Sequence, residues 1–268
     1  MPLSDSELDR YARHIVLREV GGAGQQKLKS SRVLVVGAGG LGSPLALYLA
    51  AAGVGTLHLV DDDTVSLSNL QRQIAHTTAR VGERKTASAA AQLRAINPEV
   101  TIVEHATRIT AGNARELIGA VDLVADGSDN FDTRFLINDA CHLYGKPLVS
   151  AAVVQFDGQL STFKSHIRGT EGGGGHPCYR CLYREPPPPD SRPNCAEAGI
   201  LGAVAGVMGT LQATEVLKEL IGIGDSLSGR LLIYDALSTA VRTVRLKPDP
   251  ACPLCGPQAT IKDLSGHA

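Results

Sequence analysis

Residues 32–43, Arg32-Val33-Leu34-Val35-Val36-Gly37-Ala38-Gly39-Gly40-Leu41-Gly42-Ser43, decide the fold. The Val-rich run ending at Val36 reads as a buried strand. The chain then turns on glycine and opens a helix that runs to about Gly53, a C-terminal stop. Gly37, Gly39 and Gly42 match G-x-G-x-x-G. Small residues let the backbone approach phosphate, and a helix N-terminus favours anions. Asp61 closes the next strand, TLHLVD, roughly 20 residues on, where an acidic side chain can bind ribose hydroxyls. The bland alternative is a tight turn without ligand. The unit alone points to a nucleotide or dinucleotide without deciding which.

Working outward, VTIVEH (100–105), VDLVADG (121–127) and KPLVSAAV (146–153) read as further strands. Helices over 83–96, ended by Asn97-Pro98, and over 131–143 alternate with them. This order implies parallel pairing with right-handed crossovers. Two short helices, 5–13 and 24–30, come first, with Ser4 and Glu7 spaced for a capping box. A helix from about 201 to 221 follows the core. QLSTFK, RLLIYDA and AVRTVRL read as short strands, the last two without a helix between them. The expected fold is α/β, a Rossmann-like, mostly parallel sheet extended by antiparallel strands. The chain divides into N-terminal helices 1–31, a nucleotide-binding core 32–165, a crossover loop 166–198 and a C-terminal part 199–268. The loop carries Gly172–Gly175, Pro186–Pro189 and Pro193, a density that argues against regular structure. Loops of that length inside a domain are usually functional or disordered. The tail 257–268 is polar and reads as frayed.

Of 268 residues, 43% are hydrophobic and 20% charged, enough for an ordinary core. Tryptophan is absent, so Val, Leu, Ile and Ala must fill that core. A net charge of −1 gives no basic stripe for nucleic acid. The start, MPLSDSELDRYARH, is too polar for a signal peptide. No apolar run reaches the roughly 18 residues that span a bilayer. No membrane association and a cytoplasmic location are expected.

Six cysteines are present, four of them in two Cys-x-x-Cys pairs. In a cytosolic chain such pairs favour metal over disulfides. Cys178, Cys181, Cys252 and Cys255 supply a Cys₄ set for zinc (Zn2+), closed and therefore structural. The pairs lie about 70 residues apart, so the fold must unite them; redox thiols are the alternative. Cys195, in PNCAEAG, precedes a helix, where a thiol can be activated; an idle packed thiol is the competing reading. Cys141 sits on the apolar side of helix 131–143 and reads as core. His14, His76, His105, His142, His166 and His176 lack ligand spacing and read as core or surface.

What separates this chain from an ordinary dinucleotide enzyme lies in Asp61–Gln73 and beyond. Arg72 and Lys85 could reach phosphates near the glycine turn and neutralise a leaving pyrophosphate. Asp129-Asn130 follow the fourth strand, at the end of a parallel sheet where ligands bind. A carboxylate there could hold magnesium (Mg2+) between phosphate oxygens. Taken singly, Arg72 and Lys85 are equally readable as solvated charges, and Asp129-Asn130 as a helix N-cap.

GAGGLGS, DDDTVSLSNLQRQ, GERK and SDNFDTR together resemble the ThiF/MoeB/HesA family, bacterial relatives of ubiquitin-activating enzymes. RYARHIVL, CYRCL, NCAEAGILG and CPLCG extend the resemblance over nearly the whole chain. It implies adenylation, with ATP, of the C-terminal carboxylate of a ubiquitin-like sulfur carrier ending in Gly-Gly. Such carriers serve molybdenum cofactor, thiamine or tRNA thiolation chemistry. It implies an ATP site at Gly40, Asp61, Asn69, Arg72, Lys85, Asp129 and Asn130, with Asp63 and Ser68 in the same loop. Asp129 would bind magnesium, and Arg13 would reach the neighbouring subunit's ATP, making a homodimer. It supports structural zinc and marks Cys195 as a position where a covalent link to the carrier can form. The loop 168–195 is expected to cover the tail channel, and the β extension to offer the carrier a docking face. Too few residues follow Cys255 for an appended rhodanese domain, so a separate sulfur donor is expected. Three other readings stay open: an NAD-dependent oxidoreductase, a related enzyme acting on a tRNA carboxylate, and a scaffold that only binds a carrier.

Overall fold

The computed structural model describes residues 2–167, 175–188 and 199–267. Apolar runs with little alternation demand cover on both faces, and that cover organises the molecule. β1 (Arg32–Val36) and β4 (Leu123–Asp126) are the most enclosed. They form the middle of an eight-stranded sheet ordered β3-β2-β1-β4-β5-β6-β7-β8. β2 (Thr56–Val60), β3 (Thr101–His105) and β5 (Leu148–Val154) complete its parallel part. β6 (Asp157–Phe163), β7 (Arg230–Asp235) and β8 (Ala240–Arg245) add an antiparallel extension. The strand order changes direction at β1, which lies between β2 and β4. Crevices for ligands open at such switch points, beyond the carboxyl ends of the strands.

One face is covered by α4 (Gly42–Ala51), α5 (Lys85–Ile96) and the long α9 (Gly202–Ile221). Their core includes Leu45, Leu49, Leu57, Leu93, Met208 and Val216, all essentially inaccessible. The other face carries α6 (Ala114–Gly119) and α7 (Phe131–Leu143), around Leu34, Ile118, Val124, Phe135 and Ile137. Burying each such side chain stabilises the fold by about 1.5–3 kcal/mol. Gln212 of α9 donates to the carbonyls of Asp126 and Val149 at 2.8 and 3.0 Å, fixing α9 against the end of β4. Among the described residues, no helix is long and apolar enough to cross a membrane.

Four local expectations need correction. The first predicted helix breaks at Tyr11 into α1 (Asp5–Arg10) and α2 (Ala12–Ile15). Tyr11 is pulled into the core, where its hydroxyl accepts from Asn97 at 2.8 Å. The Ser4–Glu7 capping box of α1 is present as expected. The short α3 (Gly21–Ser30) begins earlier than residue 24, and α6 is too brief for its periodicity to be read. The stretch expected to hold no regular structure contains α8 (Tyr179–Leu182); Tyr179 packs edge-on against Phe135 and Phe163. The tail is not frayed: Leu264 is buried, and His267 Nε2 lies 2.8 Å from Asp139 Oδ2.

Candidate nucleotide site and sulfur cluster

The glycine turn is shaped by backbone contact. Gly37 has φ +89°, and a Cβ there would stand 2.9 Å from the Gly127 carbonyl oxygen. A Cβ on Gly42 would collide with the carbonyl of Gly37. Both positions therefore exclude side chains. The turn is then held from both sides of one peptide unit. Ala38 N donates to Asp61 Oδ2 at 2.8 Å, while the Ala38 carbonyl lies 2.9 Å from His76 Nε2. His76 Nδ1 meets Ser88 Oγ of α5 at 2.9 Å. Burial lowers the His76 pKa, so the neutral ring donates through Nε2 and accepts from Ser88. This histidine, read from sequence only as core or surface, positions the turn; its one sequence signal is its place shortly after Arg72.

Beyond the strand ends lies a cleft of about 400 Å³. It gathers Gly37, Gly39, Gly40, Asp61, Asp63, Arg72, Lys85, Asp129 and Asn130 from the expected set. Lys85, at the start of α5, is 6% exposed and reaches Asp63 Oδ2 at 2.7 Å. Arg72 Nη1 donates to the Ser68 carbonyl at 3.2 Å. Asn130 caps α7 by accepting from Thr133 N at 2.9 Å, which leaves exposed Asp129 at the positive end of that helix. The buried Asp126 sets this turn: Oδ1 accepts from Ser128 N and Oγ at 2.9 and 2.6 Å, and Oδ2 from Ser150 Oγ at 2.9 Å.

Other expected residues lie outside the cleft wall. Gly42 sits behind the turn. Ser68 and Asn69 belong to a 3₁₀ turn, Leu67–Asn69, in which Asn69 Oδ1 accepts from Ser66 N. Arg13 is exposed on α2 and does not line its own chain's cleft. Cys195 lies outside the described residues. Arg108, Gln73 and Arg134 line the cleft although the sequence reading did not select them. Gln73 is 3% exposed, and its Oε1 has no hydrogen-bond partner among the described residues, an unmet need that a bound ligand could fill.

A second, apolar cavity of about 240 Å³ runs over β5 and β6 and under α8. Ala151, Leu160, Phe163, Tyr179 and Leu182 line it. It meets the cleft at Asp129, Arg134 and Val153, which line both.

The two Cys-x-x-Cys pairs converge. The sulfurs of Cys178, Cys181, Cys252 and Cys255 all lie within 4.8 Å of one another. Cys178–Cys252 and Cys181–Cys255 are 3.5 and 3.4 Å apart, and Cys178–Cys181 3.9 Å. A tetrahedral zinc with Zn–S near 2.3 Å requires sulfur separations of about 3.8 Å, so the cluster fits zinc. Contact with Cys181 and Cys252, with burial, pushes the Cys178 thiol up. Asp139 of α7, fully buried, ties the cluster to the fold. It accepts from Arg180 Nε and Nη2 at 2.8 and 2.7 Å, from Asn138 Nδ2 at 3.0 Å, and contacts His267. Burial alone would raise the Asp139 carboxyl, but hydrogen bonds with His267 and Arg180 outweigh it and hold it below its usual range. Cys141 is buried as expected, and burial pushes its thiol well up.

Comparison with known proteins agrees with this architecture. The sulfur carrier protein adenylyltransferase of Thermus thermophilus is 49% identical over 264 residues, covering 98% of this chain and 96% of its own. The SAMP-activating enzyme E1 of Haloferax volcanii is 48% identical, covering 96% and 92%. The bovine adenylyltransferase and sulfurtransferase MOCS3 is 50% identical, but this chain spans only 57% of its length. Among solved structures, Escherichia coli MccB with a MccA-derived ligand superposes with TM-score 0.79 over 94% of this chain and 76% of that one. At 21% identity that likeness speaks for the fold alone. The ThiF family profile matches residues 11–254, and the chain is a member of the ThiF family.

Proposed function

We propose that this chain uses ATP to adenylate the C-terminal carboxylate of a ubiquitin-like sulfur carrier ending in Gly-Gly. One observation carries this reading: a cleft holding a phosphate-type glycine turn, Arg72, Lys85 and Asp129 opens directly into an apolar cavity. A nucleotide and an extended peptide end can therefore meet at one place. The sulfur-carrier and E1 names of the relatives support the same chemistry.

The reaction needs little beyond positioning. A carboxylate is already ionised at neutral pH, so no general base is required. One carboxylate oxygen attacks the α-phosphorus of ATP; the bond to the bridging oxygen breaks, and pyrophosphate leaves with that oxygen. Arg72 and Lys85 neutralise charge on the departing group. Asp61 orients the ribose while fixing Ala38. Asp129 would hold magnesium, which when bound would offset phosphate charge. The cleft and cavity hold the reacting atoms together, which supplies much of the acceleration. Arg13 acts on the second copy of a homodimer, in keeping with its position away from its own cleft. The zinc site is structural, because four thiolates leave no open coordination position.

ATP–pyrophosphate exchange with purified carriers ending in Gly-Gly tests this reading. Exchange that depends on a carrier and disappears when its last glycine is removed is expected. Nucleotide binding without exchange on any carrier would overturn it.

A further inference from the structure

An adenylating site faces an electrostatic difficulty. The incoming carboxylate must approach a triphosphate across a cleft that also holds Asp61, Asp62, Asp63 and Asp129. Like charges at short range in a partly enclosed site repel strongly. A cation is needed where the carboxylate arrives, and it must be separate from those serving the phosphates. Lys85 is paired with Asp63, and Arg72 bonds the Ser68 carbonyl; neither lines the apolar cavity.

Three residues line both cavities: Asp129, Arg134 and Val153. Arg134 is the cation among them. It lies on the first turn of α7, half-buried, and donates from Nη2 to the Ser128 carbonyl at 2.6 Å. Ser128 is itself fixed by Asp126, so the guanidinium is anchored to the turn that presents Asp129. Further N–H donors remain on its planar fork, whose geometry matches a carboxylate.

We propose that Arg134 receives the terminal carboxylate of the incoming tail and aligns it at the junction of the two cavities. This inference rests on the adenylation reading and adds the substrate-binding group that the phosphate cations do not supply. The tail's extended stem lies along Val153 and Leu160 of the apolar cavity, and its charged end stops at Arg134. A peptide ending in a carboxamide has the same stem but lacks the charge, so the junction distinguishes the two.

The test compares wild type, Arg134→Ala and Arg134→Lys in three measurements. The first is the Kd of a non-hydrolysable ATP analogue. The second is the KM of a Gly-Gly-ending carrier in pyrophosphate exchange. The third is binding, with the analogue present, of a heptapeptide ending in Gly-Gly as free acid and as amide. Loss of a charge-assisted bidentate contact should raise the carrier KM on the order of 10²-fold in Arg134→Ala. Lysine should recover part of it, because it keeps charge without the fork. The analogue Kd should move less than about threefold, which also shows that the variant is folded. Wild type should prefer acid to amide, and Arg134→Ala should lose that preference.

Unchanged carrier KM in Arg134→Ala, with exchange intact, removes Arg134 and leaves adenylation standing. Equal weakening of analogue and carrier reassigns Arg134 to the nucleotide. Acid preference without exchange on any carrier keeps Arg134 and overturns adenylation. Binding of neither peptide by wild type counts against Arg134.

Discussion

Replacing Asp139 by alanine should damage the fold more than any surface substitution, and the structure says by how much. Its carboxylate is fully buried and faces Arg180, whose side chain is 12% exposed. Deleting it strands a buried guanidinium and removes the acceptor for Asn138 and His267. Breaking a buried, hydrogen-bonded pair from one side costs about 3–5 kcal/mol. In a domain of this size that lowers the melting temperature by roughly 6–20 °C. Denaturation in urea with zinc fixed in excess measures it. Arg180 stands between Cys178 and Cys181, so zinc release to a chromogenic chelator should also accelerate. The double variant Asp139→Leu, Arg180→Leu should recover much of the loss, because no charge is left unpaired. A loss below about 1 kcal/mol in Asp139→Ala, with zinc release unchanged, would refute the reasoning.

Other outcomes follow from the same geometry. Asp129→Ala should abolish pyrophosphate exchange while the melting temperature stays within a few degrees; normal turnover would remove Asp129 from the chemistry. Metal analysis should find one zinc per chain, absent from Cys252→Ser, and chelation should destabilise the protein without acting on the reacting groups; metal-free protein of full stability would contradict the cluster. His76→Ala leaves the Ala38 carbonyl without its donor and should weaken ATP binding about tenfold, whereas His76→Gln should restore part of it; equal behaviour of the two would deny His76 its positioning role. Stability should also depend on pH in two windows. His76, with His58, His142 and His166, has a lowered pKa, so as pH falls below about 6.5 the unfolded chain takes up protons first and stability drops. Asp139, held below its usual range, adds a second loss below about pH 4. Urea midpoints across pH 3.5–8 check both, with His76→Gln flattening the upper window.

Much of this was legible because periodicity and spacing carry it. The glycine turn, Asp61 and Asp129 fall at strand ends that hydrophobic runs mark clearly, and Lys85 opens the helix that follows the Asp61 loop. The Cys-x-x-Cys pairs point to a metal despite their separation, because two such pairs together supply a complete four-sulfur set. What escaped depends on tertiary contact. His76 works through contacts with the Ala38 carbonyl, 38 residues earlier, and with Ser88 Oγ, and Asp126 joins its own turn at Ser128 to Ser150 of β5; such links across the fold leave no local pattern. Tyr179 lies in the loop read as lacking regular structure, yet two aromatic partners from α7 and β6 give it a core position. His267 seemed part of a polar tail because its partner, Asp139, lies 128 residues earlier. Arg134 carries no sequence signal of its own; only the meeting of two cavities gives it a place.

The pairing of Lys85 with Asp63 has a bearing on selectivity. Asp63 is two-thirds exposed, while Lys85 is nearly buried, so the cleft keeps a tethered rival for its own cation. A small anion such as phosphate must displace that rival with few contacts. A nucleotide can do so while also engaging the glycine turn and Asp61, and it spreads the displacement over many contacts. The tethered carboxylate thus weights the cleft toward a ligand that can engage the turn, Asp61 and Lys85 together, rather than toward a small ion.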